Sequence, residues 1–265
     1  MKTAGKYYSE MAEEYDFMYE QPFLRVYAAV ELAFVRQYLP GETGLIHDAA
    51  GATGIMSIPL AEEGYQIYLT DISSELVAKA ELNASQRGVA NFRAIAANME
   101  SLPFGNSLFD LVLCLGNPLS YCDYEKALRE FYRTMKDGAA LVATVENRLW
   151  LARLCVWRGS LEKVGGAIDT GDVTTAFPMH GFTAQELSHV LEEAGFRIER
   201  MAALPLLAGL KPDAAVDGVI ADPARLAQLV DLELRYCEKR EWLEAGKNIL
   251  FCCRKLDCYI GAQNI

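Results

Sequence analysis

The chain alternates uncharged apolar runs with amphipathic stretches, and this alternation restricts its fold more than any other feature. Residues 44–73, GLIHDAAGATGIMSIPLAEEGYQIYLTDIS, read as strand, turn, helix and strand. Further predicted strands follow in FRAIAA, FDLVLCLG, AALVATVE, RIERMAALPLL and NILFCCRK, mostly with helical patterns between them. Strands that are apolar on both faces belong to parallel sheets covered by helices on each side. We therefore predict an α/β fold, a Rossmann-like doubly wound seven-stranded sheet whose last strand is antiparallel.

The length predicts one domain with several parts. A chain of 265 residues can bury a single large core, and we expect one domain over residues 1–265. Aromatic and leucine residues at helical spacing predict an amino-terminal helical cap in residues 1–40, before a cofactor-binding core in 41–146. The regular pattern lapses in residues 147–182 and 205–247. Long irregular segments in compact domains often cover ligands, so both are predicted to be lid or substrate insertions.

The composition narrows the class of protein. A net charge of −11 argues against broad binding to nucleic acid, which usually needs a basic face. The stretch MKTAGKYYSEMAEEYDFMYE lacks the apolar run of a signal peptide, and no window is apolar for long enough to span a bilayer. The seven cysteines show no C-x-x-C spacing, and the three histidines are scattered. We expect a cytoplasmic monomer or homodimer that holds no metal and does not bind membranes.

The turn after the first strand, with the acids beside it, indicates which ligand the fold binds. Asp48 ends the first strand, residues 51–54 form the turn into the helix, and Asp71 ends the second strand. The carboxylate of Asp71 suits the two hydroxyls of a ribose. A dinucleotide would place its pyrophosphate on this turn, where Asp48 would repel it. S-adenosylmethionine carries a sulfonium and an ammonium instead, so Asp48 favours this methyl donor over NAD.

Five stretches resemble class I S-adenosylmethionine-dependent methyltransferases: IHDAAGATG, YLTDIS, ANMESLPFGNSLFDLVLCLG, ALREFYRTMKDGAALVATVENR and FTAQELSHVLEEAGF. The resemblance implies a methyltransferase in which Asn98 and Met99 flank the adenine, where the family usually has an acid at the first position. Alanine also replaces the usual glycine at Ala50 and Ala52. The predicted cofactor-binding residues around the loop and strand ends are Asp48, Ala49, Ala50, Gly51, Gly54, Asp71, Ile72, Asn98, Met99, Leu115 and Gly116.

A narrower resemblance links the chain to the bacterial tRNA 5-carboxymethoxyuridine methyltransferases and to relatives of similar length. It rests on FLRVYAAVEL near the start and on LVDLELRYCEKREWLEAGKNILFCCRK near the end. In the tRNA enzymes an arginine of the amino-terminal helix helps to hold the cofactor, and Arg25 falls at the corresponding place, allowing a shift of one residue. Its guanidinium would bind the methionine carboxylate. The other interpretation of Arg25 is a solvated helix residue.

Several polar residues near the predicted crevice are candidates for contact with a methyl acceptor. They follow the fourth and fifth strands, or lie in the long loop or the amino-terminal cap. The substrate-binding candidates are Tyr15, Asn117, Tyr121 and Arg148. The candidate general bases are Glu146 and His180, since a carboxylate or an imidazole can remove a proton at neutral pH. Each also has a plain structural interpretation, as a strand end, a core aromatic or a loop histidine.

Three functions remain open from the sequence. The leading hypothesis is methyl transfer to an oxygen, nitrogen or carboxylate of a small molecule. The first alternative is a tRNA wobble-uridine methyltransferase. It would be supported by a basic patch beside the crevice, formed by Arg148, Arg153, Arg158 and Lys163. The second alternative is a non-catalytic cofactor-binding protein, in which Ala50 and Ala52 mark lost catalysis.

Overall fold

A computed structural model describes residues 3–41, 43–208 and 214–256 of the chain. In chain order its strands are β1 (Leu45–Ala49), β2 (Gln66–Asp71), β3 (Phe92–Ala96), β4 (Phe109–Cys114), β5 (Met135–Glu146), β6 (Asp172–Thr174), β7 (Pro178–His180), β8 (Phe196–Leu204) and β9 (Asn248–Lys255). Its helices are α1 (Ala4–Glu10), α2 (Tyr15–Tyr19), α3 (Pro22–Arg36), α4 (Ile58–Glu62), α5 (Ser74–Gln86), α6 (Tyr124–Thr134), α7 (Arg148–Trp157), α8 (Val164–Asp169), α9 (Ala184–Glu193), α10 (Ala214–Ile220) and α11 (Pro223–Tyr236).

The central sheet has seven strands within the described residues, in the order β3-β2-β1-β4-β5-β9-β8. The pairs from β3 to β5 are parallel, whereas β9 is antiparallel to both of its neighbours, β5 and β8. The predicted doubly wound sheet with an antiparallel last strand is therefore confirmed. Its chain order reverses between β1 and β4, so a ligand crevice is expected at the carboxyl ends of these two strands.

Both faces of the central strands are buried, which explains why the middle of a strand such as β4 is apolar. Along β4, Leu111 and Leu113 pack into the core on one face, whereas Val112 and Cys114 pack into the core on the other. Side chains alternate between the two faces of a strand, so all four positions must be apolar. Helix α3 covers the first face, where Phe34 is fully buried.

The amino-terminal cap consists of three helices, α1 to α3. One predicted segment differs from expectation. The insertion 147–182, expected to be irregular, contains α7, α8 and the short antiparallel hairpin β6–β7. The sequence hides α7 because apolar residues lie on its exposed face as well as on its buried face, so no clear amphipathic period appears. Val156 and Trp157, for example, are exposed.

The second insertion, 205–247, packs away from the crevice. Helices α10 and α11 contact α3, and Ile220 and Cys237 join the core beneath them. Residues 209–213 of this insertion and Cys258 of the carboxyl-terminal stretch lie outside the described residues. The cysteines that the structure describes are free thiols. No helix within the described ranges is both long and apolar enough to cross a lipid bilayer.

Candidate active site

The turn after β1 holds two alanines in a conformation that favours glycine. Ala50 has φ 54° and Ala52 has φ 48°, both in the left-handed region, and Gly54 follows with φ 79°. A left-handed conformation costs an L-residue roughly 1–2 kcal/mol. At Gly51 any side chain would collide with the carboxylate of Asp48 and with Leu69. The loop therefore keeps the tight shape of a glycine-rich turn although two of its glycines are replaced.

The acid at the end of β1 lies beneath this turn. Asp48 is 2% exposed, and within the described residues its Oδ2 has no hydrogen-bond partner. Burial raises the pKa of Asp48 to about 7; the Ser57 hydroxyl opposes the shift, and the nearby charge of Asp71 adds to it. A buried carboxylate with an unpaired oxygen is costly, so a positively charged ligand above the turn would stabilise it.

The acid at the end of β2 lies at the wall of the crevice. Asp71 accepts hydrogen bonds from the backbone N–H of Ala52 at 3.1 Å and from that of Ser73 at 2.9 Å. Burial raises the pKa of Asp71, and these backbone donors oppose the shift. Helix α1 crosses this edge closely, since a Cβ added at Gly5 would lie 2.9 Å from Cγ2 of Ile72.

These elements enclose a cavity of about 340 Å³. Of the predicted cofactor residues, those that line it are Ala50, Asp71, Ile72, Asn98, Met99, Leu115 and Gly116. Those that support the loop without lining the cavity are Asp48, Ala49, Gly51 and Gly54. The lining residues that sequence reasoning did not assign to cofactor include Thr3, Ala4, Leu76, Ala97 and Glu100. The role of each residue in binding remains a prediction.

Arg25 does not reach this cavity. It is exposed on α3 and is not among the lining residues. The buried face of the helix instead presents Tyr27, Val30 and Glu31. Residues 25 and 27 are about 200° apart around a helix with 3.6 residues per turn, so they cannot share a face. The structure thus does not support the expectation that Arg25 holds the cofactor, and fits a solvated helix arginine.

Glu31 is a buried acid that sequence reasoning missed. It is fully buried, its Oε1 accepts from the Thr144 hydroxyl at 3.4 Å, and its Oε2 has no partner among the described residues. Burial raises the pKa of Glu31 to about 8. The backbone N–H of Gly116 is the main group that opposes this shift, and the charge of Asp48 adds to it. The sequence carried a signal, since Glu31 is an acid on the apolar face of the helical run RVYAAVELAFV.

A hydrogen-bonded network joins the ends of β4, β5 and β9 behind the cavity. Glu146, which is 4% exposed, accepts from Tyr121 Oη at 2.8 Å, from Asn117 Nδ2 at 3.2 Å and from Asn248 Nδ2 at 3.2 Å. Asn117 also accepts from the Tyr27 hydroxyl at 3.3 Å. Tyr121 lines the cavity, whereas Asn117 and Glu146 do not. The predicted base Glu146 therefore reaches the cavity through Tyr121.

Aromatic side chains close the cavity from above. Tyr8 and Tyr15 line it, with ring centroids 6.2 Å apart. Phe177, between β6 and β7, contacts the ring of Tyr7 at 5.3 Å, that of Tyr8 at 6.0 Å and that of Tyr121 at 5.1 Å. Aromatic faces attract sulfonium and ammonium groups. The rings of Tyr7, Tyr8, Tyr15 and Phe177 form an aromatic cap. This aromatic cap joins helix α1, the β6–β7 hairpin and the residues that follow β4.

His180 and Arg148 lie outside this cavity. His180 places Nδ1 2.8 Å from Asp172 and Nε2 3.2 Å from Glu186, and it lines a second cavity. Arg148 donates to the carbonyl of Gly181 at 3.1 Å and to that of Thr170 at 3.3 Å, and it also pairs with Glu186. Arg148 therefore holds parts of the insertion together and links them to α9, rather than facing an acidic substrate.

The basic patch expected for a tRNA enzyme is only partly available. Arg148 is turned toward the protein, as described, and Lys163 donates to the carbonyl of Thr174 at 2.8 Å. Arg158 is exposed and Arg153 is partly so. Two of the four cations therefore already bind the insertion, which leaves less positive charge for a phosphate backbone.

The cavity suits a cationic nucleoside. No lysine or arginine is among the described residues that line it, so a pyrophosphate would find no counter-charge there. Asp71 lines the cavity, and the buried acids Asp48 and Glu31 each keep an oxygen without a hydrogen-bond partner among the described residues. These groups fit the ribose and the positive charges of S-adenosylmethionine.

Comparison with known proteins agrees with this geometry. Residues 46–138 match the family described as a methyltransferase domain. Among solved structures, a SAM-dependent methyltransferase from Methanosarcina mazei has a TM-score of 0.60 at 22% identity, covering 84% of this chain and 97% of that one. A SAM-dependent methyltransferase from Thermotoga maritima has a TM-score of 0.60 at 19% identity, covering 94% and 97%. The chain therefore has the fold of S-adenosylmethionine-dependent methyltransferases, and its residues 46–138 match a methyltransferase domain family.

Relatives of higher identity are similar over part of their length. The ubiquinone/menaquinone biosynthesis C-methyltransferase UbiE of Xanthomonas campestris is 34% identical over 144 residues, which cover 52% of this chain and 56% of that protein. A protein of Methanocaldococcus jannaschii is 23% identical over 205 residues, covering 73% and 76%. The chain thus spans little more than half the length of the quinone methyltransferases that it matches.

Proposed function

We propose that this chain transfers a methyl group from S-adenosylmethionine to a small-molecule acceptor that loses a proton in the reaction. The observation that carries the proposal is the hydrogen bond from Tyr121 to Glu146, because it connects the cavity wall to a buried carboxylate. The names of the relatives, C-methyltransferases of ubiquinone and menaquinone biosynthesis, support a small molecule over RNA.

The residues of the chain would position the acceptor and provide a route for the proton that it loses. When bound, S-adenosylmethionine would supply an electrophilic methyl group and a thioether as the leaving group. An acceptor hydroxyl or amine beside Tyr121 would give its proton to the Tyr121 oxygen while the Tyr121 proton moves to Glu146. Asn117 and Asn248 donate to Glu146 and hold it in place. The aromatic cap excludes water from the reacting atoms.

Two measurements test the proposal. Calorimetry should show binding of S-adenosylmethionine and none of NAD; if the methyl donor does not bind, the chain is not a working methyltransferase. Isotope-labelled methyl donor should then be incubated with the protein and with separate metabolite and RNA fractions. Label should enter the metabolite fraction. Label confined to tRNA would overturn the small-molecule assignment.

A further inference from the structure

A second cavity of about 740 Å³ adjoins the first. One wall comes from residues 120–124, which follow β4, and the other from the β6–β7 hairpin. Tyr121 and Cys122 line both cavities. A molecule in the second cavity would therefore contact two side chains that also line the first, and one of them, Tyr121, is hydrogen-bonded to Glu146.

The charged groups around the second cavity already have partners. Asp123 pairs with Lys126 at 2.8 Å, and Asp172 lies 2.8 Å from Nδ1 of His180. Glu186, behind His180, pairs with Arg148. No lysine or arginine is among the described residues that line this cavity. An anion would lose its water without gaining a counter-charge, and a cation would have to displace the groups that already hold these carboxylates, so the cavity favours an uncharged ligand.

The remaining lining residues favour a flat ring. The rings of Tyr124 and His180 lie 5.5 Å apart at 34°, and Val173, Pro178 and Met179 add apolar surface. Aromatic rings prefer offset or edge contacts with other rings at such distances, and a thioether packs well against a ring edge. The Tyr121 ring forms the inner end of this surface.

We propose that the second cavity binds the methyl acceptor, and that the acceptor is an uncharged molecule with an aromatic ring and a hydroxyl directed toward Tyr121. This inference rests on the proposed function, because it assigns a site to the acceptor of that reaction. Such an acceptor would enter beside the hairpin while the cofactor occupies the first cavity. The carboxylate acceptor and the phosphate-rich tRNA considered from the sequence do not match this lining.

Three probes that share one phenol ring test the chemical class. They are 2-(4-hydroxyphenyl)ethanol, which is neutral, 4-hydroxyphenethylamine, which is a cation, and 4-hydroxyphenylacetate, which is an anion. Their affinities should be measured by ligand-observed NMR with protein saturated by S-adenosylhomocysteine. The neutral probe should bind about 3- to 10-fold more tightly than either ion, or roughly 1 kcal/mol. Equal or tighter binding of an ion, or no binding of any probe at millimolar concentration, would overturn the proposal.

A charge-unbalancing variant tests whether pairing sets this preference. Lys126→Gln removes the partner of Asp123, so the amine should gain about 3- to 10-fold over the carboxylate. Lys136→Gln is the matched control, because Lys136 pairs with Asp110 at 2.7 Å and lines neither cavity. The amine-to-carboxylate ratio should stay at the wild-type value in this control. If the ratio of amine affinity to carboxylate affinity is the same in both variants, the Asp123–Lys126 pair does not set the preference for a neutral probe.

A filling variant tests the location. Met179→Trp, or Thr174→Trp if the first variant does not fold, should abolish binding of the neutral probe and leave binding of S-adenosylhomocysteine unchanged, since both residues line the second cavity and not the first. If wild-type protein binds no cofactor or methylates nothing, the proposed function fails. If it does both but the filled variants still bind the probe, the acceptor site alone is wrong.

Discussion

The hydroxyl of Tyr121 donates to Oε1 of Glu146 across 2.8 Å, and this pair connects the wall of the cofactor cavity to the end of β5. Tyr121→Phe keeps the ring and removes the hydroxyl. We expect kcat to fall on the order of 10²-fold, as when a general acid–base group is lost, while the Kd for S-adenosylmethionine stays constant. Single-turnover kinetics and calorimetry would measure the two quantities.

The control for this variant is Tyr65→Phe. The Tyr65 hydroxyl donates to the carbonyl of Gly41 at 3.0 Å, away from both cavities, so its loss should leave kcat unchanged. An unchanged kcat in Tyr121→Phe would mean that the hydroxyl carries no proton in the rate-limiting step. Glu146→Gln should lower kcat at least as much as Tyr121→Phe does.

The buried acids Asp48 and Glu31 should make the cofactor-free protein less stable as pH rises from about 6.5 to 8. Their pKa values are raised to about 7 and about 8, so the folded chain holds protons that the unfolded chain has already released. The free energy of unfolding then falls with pH. Below about pH 6.5 His47 opposes this trend, since burial lowers its pKa to about 3 and the unfolded chain binds the extra proton.

Urea unfolding at a series of pH values measures this slope. Asp48→Asn and Glu31→Gln should each flatten it, because neither amide titrates. Asp110→Asn is the control; Asp110 is half-buried and already paired with Lys136. A slope that is the same in wild type and in the Asp48→Asn and Glu31→Gln variants would show that these acids do not carry the pH dependence.

The sheet was predictable because its strands are apolar on both faces and each helix between them has a polar side. Asp71 was predictable as well, since the ends of parallel strands meet at one edge. Glu31 was not predicted, because it lies mid-helix, where neither a strand end nor a family motif marks a ligand group. The hairpin β6–β7 was missed because strands of three residues are too short to show a period of two.

The two left-handed alanines offer a test of strain in the cofactor loop. Ala50→Gly and Ala52→Gly relieve a cost of roughly 1–2 kcal/mol each, offset by about 0.4–1 kcal/mol from the greater freedom of glycine when unfolded. We expect each change to be neutral or to stabilise the protein by up to about 1 kcal/mol. Ala49→Gly, one residue earlier in β1, should destabilise it. If all three substitutions destabilise the protein, Ala50 and Ala52 are not strained.

Arg148 should act on the insertion rather than on substrate. Arg148→Lys keeps the charge but cannot contact Gly181, Thr170 and Glu186 together. Amide hydrogens of β6 and β7 should then exchange at least several-fold faster, and KM for the acceptor should rise. Arg158→Lys, on an exposed side chain, is the control and should change neither. If amide exchange in Arg148→Lys stays at the wild-type rate and KM rises only for acidic acceptors, Arg148 binds substrate instead.

Phe177 bridges Tyr7 and Tyr8 on one side and Tyr121 on the other. Any movement of the β6–β7 hairpin that carries Phe177 with it would therefore break ring contacts to α1 and to Tyr121 together. The order of the amino-terminal helix and the order of the hairpin are then coupled, so a substitution in one should loosen the other.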